Sequence, residues 1–346
     1  MTDQLTAKVS RMGLMLPVEH GAEDYLPDRL ENLLDVVRVA RDGGLDFLDA
    51  PQHYLAAPSQ YLHCVPLLAR VAAESGDLAL GTNIIQLTLH NPVEVAEQLA
   101  TLDHICGGRL TAGFGRGYRE QEFTSFGVAP GTRLSRFLEA LELVKRLWME
   151  ESVTFEGKHF HLEDARIGVR PRQSPRPPVV IAASADKMVE RAAVIADGLS
   201  LAGHSTLEGL VPQAQIYRQA VEAAGTAFPP YIFRIMLEAY VAKSDDEAKA
   251  IAYPHIARKY KSYFGWGQDE VLPEGQTFAQ EIDDLAKGRF VVGSPETVTR
   301  RLLEYRDQLG VNEIGVRMHW IGMPYELMKP SVELYCREVV PAVKGA

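Results

Sequence analysis

The stretch Leu78–Gly115, LALGTNIIQLTLHNPVEVAEQLATLDHICGGRLTAGFG, contains a complete strand, helix and second strand. Leu78–Gln86 is an apolar run of strand length. Asn91-Pro92 then supplies a capping side chain and a proline at the first helical position, with Glu94 in the first turn. The helix runs to about Ile105 and stops at Gly107-Gly108, after which Arg109–Gly115 is again strand-like. A strand that returns to strand through a helix is the unit of a parallel sheet.

The same unit recurs outward in both directions. Upstream, Lys8–Leu16 and Leu45–Ala50 read as strands, separated by helical spacing over Pro27–Gly43; Tyr61–Ser75 reads as the helix that follows. Downstream come a helix at Thr132–Glu150, a hairpin over Val153–Leu162 turning at Glu156-Gly157, and a proline-rich connector at Arg170–Pro178. Val179–Ala183 resumes the buried-strand pattern, followed by a helix at Asp186–Ala196 and strands at Gly198–Ala202 and Tyr231–Ala242. Pro212–Ala224 is helical, and Ser244 to Glu247 has the form of a capping box. Phe264–Gly288 is the least periodic segment and reads as an insertion, with Leu272–Lys287 its most lid-like part. A helix starting at Ser294-Pro295 ends at Gly310, and Glu313–Met318 is an eighth strand. An open doubly wound sheet accommodates the same alternation. The count of eight and the lack of a domain-scale linker favour a closed (β/α)8 TIM barrel, one domain over residues 1–346 with excursions near 151–178 and 264–290.

Composition narrows the function. The 346 residues are 46% hydrophobic and 24% charged, with a formal charge of -10 and no block of Lys and Arg. A nucleic-acid or anionic-membrane partner is therefore disfavoured, and a small molecule is expected. Cys64, Cys106 and Cys336 are too dispersed for a disulfide framework or zinc site. The Met1–Ser10 stretch has no long apolar core, so a cytoplasmic protein is expected. Neither His-Glu-x-x-His nor Gly-x-Ser-x-Gly occurs, which removes the motif support for metal-dependent hydrolysis and for acyl transfer.

Ligands of such a barrel meet the loops after the strand C-termini. After the second strand, His53 stands as a general acid/base candidate or as a structural loop histidine. After the third, Thr82 and Asn83 offer polar contact to a planar heterocycle, Asn83 being equally readable as an interior amide satisfied by backbone. The fourth runs into Gly113-Phe114-Gly115-Arg116-Gly117-Tyr118, where Tyr118 occupies the place of the third glycine of a dinucleotide fingerprint, so that reading fails. A glycine-rich turn carrying Arg116 still suits an anion or a tight turn. After the fifth strand, Ala183, Ser184 and Lys187 open a helix and offer a second phosphate locus, with Ser184 also placed as an N-cap.

These residues resemble the bacterial luciferase-like flavin-dependent oxidoreductases over nearly the whole chain. The densest match is Gly81–Tyr118, supported by RMGLMLP, PQHYL, EFTSFGV (Glu122–Val128), VTFEGKHFHLEDARIGVRP (Val153–Pro171) and FVVGSPETVTRRL (Phe290–Leu302). The resemblance implies reduced FMN at the barrel mouth, its phosphate held near Arg116, Gly117, Ser184 and Lys187, and a non-prolyl cis peptide around Thr82-Asn83. It implies His53 as the catalytic histidine acting during oxygen transfer from O2, Asn83 fixing the ring and Tyr118 walling the pocket. Where the family often carries an acidic-His-His run, this chain reads Gln52-His53-Tyr54. A monooxygenase of this kind is fed by a separate flavin reductase. A deazaflavin (F420)-dependent dehydrogenase and a non-catalytic flavin-binding barrel are the alternatives; the longer acidic tail of F420 calls for basic residues at the mouth beyond Arg116 and Lys187. A homodimer through the helices after strands 2 and 3 is also implied.

Overall fold

The computed structural model describes residues 9–225, 232–266, 272 and 276–346. Lys8 and Tyr231, the opening residues of two expected strands, lie outside them, as do most of Met1–Ser10 and residues 267–271 and 273–275 of the expected insertion.

Eight strands form the core: β1 (Arg11–Met15), β2 (Phe47–Ala50), β3 (Ala79–Thr82), β4 (Leu110–Gly115), β5 (Val179–Ala183), β6 (Gly198–Ala202), β7 (Ile232–Val241) and β8 (Glu313–Arg317). Each is parallel to its sequence neighbours, and β8 pairs β1 with Arg11 opposite Glu313 and Gly13 opposite Gly315. That last pairing closes the sheet and decides against the open alternative: the fold is a TIM barrel. Helices such as Pro92–Ile105 and Arg133–Met149 pack outside, burying one face each against the barrel. Asn91 Oδ1 accepts from Val93 N at 2.9 Å, and Gly310 ends its helix with φ of 72°.

Several boundaries differ from the sequence reading. The helix expected from Tyr61 begins at Cys64, because Gln60–Tyr61 pairs antiparallel with Glu19–His20 and the Gln60 amide donates to Gly21 O and Asp24 O. The helix expected from Pro212 begins at Leu207 under a Thr206 cap, so the proline is internal. Helix Asp245–Gly265, capped by Ser244, runs to the start of the supposed insertion, which also contains a short helix at Ile282–Ala286. Val291–Gly293 adds a strand to the far end of β7. The hairpin pairs Val153–Glu156 with His161–Ala165.

The barrel interior carries charge. Within β7, residues 234, 236 and 238 share one face by the two-residue period, and both ends of that set are charged. Arg234, 1% exposed, donates through Nε and Nη2 to Glu313 Oε2 at 2.8 and 2.5 Å and through Nη1 to Asp49 Oδ2 at 2.6 Å, above the Phe47 ring. Asn83 Nδ2 donates to the same Asp49 oxygen at 3.0 Å. A chain of charge-assisted bonds thus runs from the barrel centre to the mouth and fixes one side of the Asn83 amide.

Candidate active site

A cavity opens at the C-terminal ends of the strands. Its wall includes His53, Asn83, Arg116, Gly117, Tyr118, Ala183 and Ser184, drawn from the segments after β2, β3, β4 and β5. Seven of the nine residues picked from the sequence therefore meet there. Thr82 does not: it is buried, and its hydroxyl donates to Gly113 O and accepts from Gly113 N, both at 2.8 Å, so it ties β3 to β4. Lys187 is exposed in the first turn of helix Asp186–Ile195 and lies outside the cavity wall, leaving Arg116 as the cation on this side.

Backbone approach shapes the β3–β4 wall. A Cβ at Gly113 would stand 2.0 Å from Thr82 O, so only glycine lets the strands meet there. Gly117 has φ of 78°, and a Cβ on it would meet Gln86 Oε1 at 2.4 Å. The non-prolyl cis peptide joins Asn83 to Ile84, one residue beyond its expected place. Arg116 lines the cavity with no ion-pair or hydrogen-bond partner among the described residues. Ala185, not Ser184, holds the N-cap position of the following helix, and no side chain caps it. The Ser184 carbonyl instead accepts from Gln213 Nε2. Ser184 and Ala185 both line the cavity, so the uncapped start of the helix borders it.

His53 sits on the opposite flank of this wall. Its Nδ1 is 3.1 Å from Glu122 Oε1, and the Glu122 side chain is 0% exposed. The same oxygen accepts from Tyr54 N at 2.8 Å and from Arg119 Nη1 at 3.4 Å. Burial pushes the Glu122 carboxyl up, but the His53, Tyr54 and neighbouring contacts more than offset it and hold the group below its ordinary range. A carboxylate at Nδ1 places the proton there in the neutral ring and leaves Nε2 as the outward nitrogen. The ring is enclosed edge-on by Tyr61 and Tyr118, with centroids 5.7 and 5.6 Å away, and by Trp266 at 5.6 Å. Arg119 lies over Trp266 at 4.2 Å and donates to Tyr54 O at 2.6 Å, which pins the loop after β2. Gln52 is absorbed structurally: its Oε1 accepts from Gln86 N at 3.1 Å and lies 3.2 Å from His90 Nε2.

Across the mouth, β7, β8 and helix Asp245–Gly265 contribute Glu238, Arg317, Lys259 and Tyr263. Glu238 accepts from Lys259 Nζ through one oxygen and from Trp320 Nε1 through the other. Burial lowers Lys259 to about 8, reinforced by Arg317 and opposed by Glu238. His204 is lowered to about 3, chiefly by burial, and is neutral near pH 7. Glu122 and this second cluster were not anticipated. Glu122 falls inside the quoted EFTSFGV segment, and charged residues at 234, 238 and 317 inside otherwise apolar strands were the available signal for the other wall.

The sequence profile of luciferase-like monooxygenases matches residues 10–313. The chain belongs to that family. A monooxygenase from Streptomyces bottropensis superposes with a TM-score of 0.85 at 25% identity, covering 96% of this chain and 99% of that one. The F420-dependent glucose-6-phosphate dehydrogenase of Kineococcus radiotolerans is 33% identical over 227 residues, 61% of this chain and 64% of that protein. The FMNH(2)-dependent dimethylsulfone monooxygenase of Pseudomonas putida is 24% identical over 272 residues, 73% of this chain and 71% of that protein. Among the described residues no cluster of three or more His, Cys, Asp or Glu is placed to hold a metal ion, the three cysteines are free and buried, and no helix is long and apolar enough to cross a membrane.

Proposed function

We propose that the protein is a flavin-dependent monooxygenase that uses reduced FMN and O2 on a small organic substrate, with His53 as its proton-handling residue. The observation that carries the reading is the convergence, on one cavity, of an unpaired arginine, an uncapped helix start and a histidine oriented by a buried carboxylate. The donor set fits FMN. Arg116, the Ser184 hydroxyl and the first amides of helix Asp186–Ile195 would hold its phosphate, and the buried Tyr118 hydroxyl, which has no partner among the described residues, is a further donor in the same wall.

Reduced FMN, when bound, supplies the electrons that activate O2. The chain's own contribution is positional. Asn83, held through Nδ2 by Asp49, keeps Oδ1 for a ring N–H. Tyr61, Tyr118 and Trp266 exclude water from His53, whose Nε2 gives or takes a proton while Glu122 stabilises the charged ring. A separate reductase as the source of reduced FMN, a homodimer through helices Cys64–Val71 and Pro92–Ile105, and a cytoplasmic location complete the proposal.

The second reading, an F420-dependent dehydrogenase, draws on the Kineococcus relative. Anaerobic titration with reduced FMN and reduced F420, followed by mixing with O2, separates the two. Monooxygenase function predicts tighter binding of FMN and, on oxygen addition, a transient absorbance unlike either oxidised or reduced flavin. Preference for F420 with no transient would refute it, and binding without any redox turnover would mark a non-catalytic barrel. Replacing His53 by Ala is expected to slow oxygenation about 10²- to 10⁴-fold while leaving FMN affinity within about threefold; a rate within a few-fold of wild type removes His53 from the chemistry.

A further inference from the structure

The strand order places β8 four strands from β4 around the closed barrel, so the ends of β4 and β8 face each other across the mouth. Arg116 follows β4, and Arg317 is the last residue of β8. Both line the cavity, yet one phosphate cannot account for two cations on opposite sides of it.

Arg317 has no ion pair within 4 Å and no side-chain hydrogen bond among the described residues. Its register partner is Glu238, but both Glu238 oxygens are occupied, one by Lys259 Nζ and the other by Trp320 Nε1. Burial opposes the charge on Arg317, but Tyr263, Glu238, Tyr61 and Glu19 more than offset it, acting through space and not by a direct bond. The wall thus pairs Lys259 directly with Glu238 and leaves the Arg317 guanidinium without a hydrogen-bond acceptor among the described residues. Deeper in the same barrel, Arg234 meets two carboxylates. A half-buried guanidinium that lines a cavity with no acceptor for its N–H donors is open to a ligand that supplies one.

Between this wall and His53 runs a band of aromatic rings. Trp266 is 5.6 Å from His53 and 5.7 Å from Tyr263, and Lys259 Nζ lies 4.7 Å from the Tyr263 ring centre. Tyr61 touches His53 on the same side at 5.7 Å.

We propose that Arg317 is the substrate anchor and that the substrate is a small organic acid, its carboxylate on the guanidinium and its apolar body past the Tyr263 ring toward His53. A guanidinium whose donors are unoccupied calls for an anionic acceptor, and its fork matches a planar carboxylate bidentately. This rests on the flavin reading above for the chemistry performed at the far end of the molecule.

The test uses benzoate, benzamide and phenyl phosphate as probes, titrated calorimetrically into the protein with and without bound FMN. Benzoate should bind at least about 30-fold more tightly than neutral benzamide, the usual scale for loss of one partner of a desolvated charge pair. Arg317→Gln should abolish that preference and Arg317→Lys should retain part of it, which separates loss of the anchor from loss of the fold, while FMN affinity stays within about threefold in both. Equal affinity for benzoate and benzamide, failure of either to bind, or a preference that survives Arg317→Gln overturns the proposal. So does phenyl phosphate binding more than about tenfold tighter than benzoate, or loss of FMN binding in Arg317→Gln, which would make Arg317 a phosphate site. If FMN fails to bind while the Arg317-dependent benzoate preference persists, the flavin reading falls and the anion site stands.

Discussion

Replacing Glu122 by Gln tests the buried carboxylate that orients His53. In the wild type one oxygen accepts from His53 Nδ1, Tyr54 N and Arg119 Nη1 at 3.1, 2.8 and 3.4 Å, inside a side chain with 0% exposure. The amide is isosteric and keeps an oxygen for Tyr54 N, so the backbone contact survives. The His53 contact falls from charge-assisted to neutral, a loss of about 1 kcal/mol. Arg119 loses its charge partner but retains Tyr54 O and Leu55 O, which limits that part to about 1–2 kcal/mol, below the range for a buried ion left with nothing. The sum is about 2–3 kcal/mol of unfolding free energy near pH 7. Its pH dependence has a definite sign. The folded Glu122 pKa is depressed from 4.5, so its contribution is fully present above 4.5 and is lost as pH falls through the lower folded value. Urea denaturation of wild type and variant at pH 7, and at successively lower pH, should show a gap that is widest at neutrality and narrows in acid at constant m. In parallel, single-turnover oxidation of bound reduced FMN should slow about tenfold with FMN affinity unchanged. A stability gap below about 0.5 kcal/mol, or one independent of pH, would refute the charged, orienting role assigned to Glu122.

Two further substitutions probe the frame beneath the site. Arg234→Met leaves Asp49 and Glu313 buried without their shared cation and should cost about 3–5 kcal/mol by denaturant titration, together with weaker FMN binding through the freed Asn83; an unchanged midpoint would show that the interior ion network carries no stability. Gly113→Ala puts a methyl 2.0 Å from the Thr82 carbonyl and should destabilise by about 1–3 kcal/mol or more, seen as a fall of several degrees in melting temperature. An unaltered Tm would mean that β3 and β4 are free to separate.

Local rules explain why so much of the architecture was legible. Strand-length apolar runs, the Asn91-Pro92 and Ser244 caps and the Gly310 stop each act within a few residues, and the structure keeps all three signals. Where the reading slipped, a distant partner decided the local conformation. Tyr61 left its helix for a two-residue ladder with Glu19, and Thr82 turned from the cavity because Gly113 takes both sides of its hydroxyl. Lys187 follows the rotation of its helix toward solvent, which proximity to Ser184 in sequence does not reveal.

By itself, the sequence determined the eight strands, the order of the helices between them, and the set of loops from which His53, Asn83, Arg116, Tyr118 and Ser184 come, because propensity, capping and period are properties of short segments. Only the tertiary structure decided that the sheet closes through β1 and β8, that Glu122 reaches back to His53 across 69 positions, and that Arg317 faces Arg116 over one cavity. Those contacts depend on barrel closure bringing distant segments together, and on which charges are already paired when they arrive.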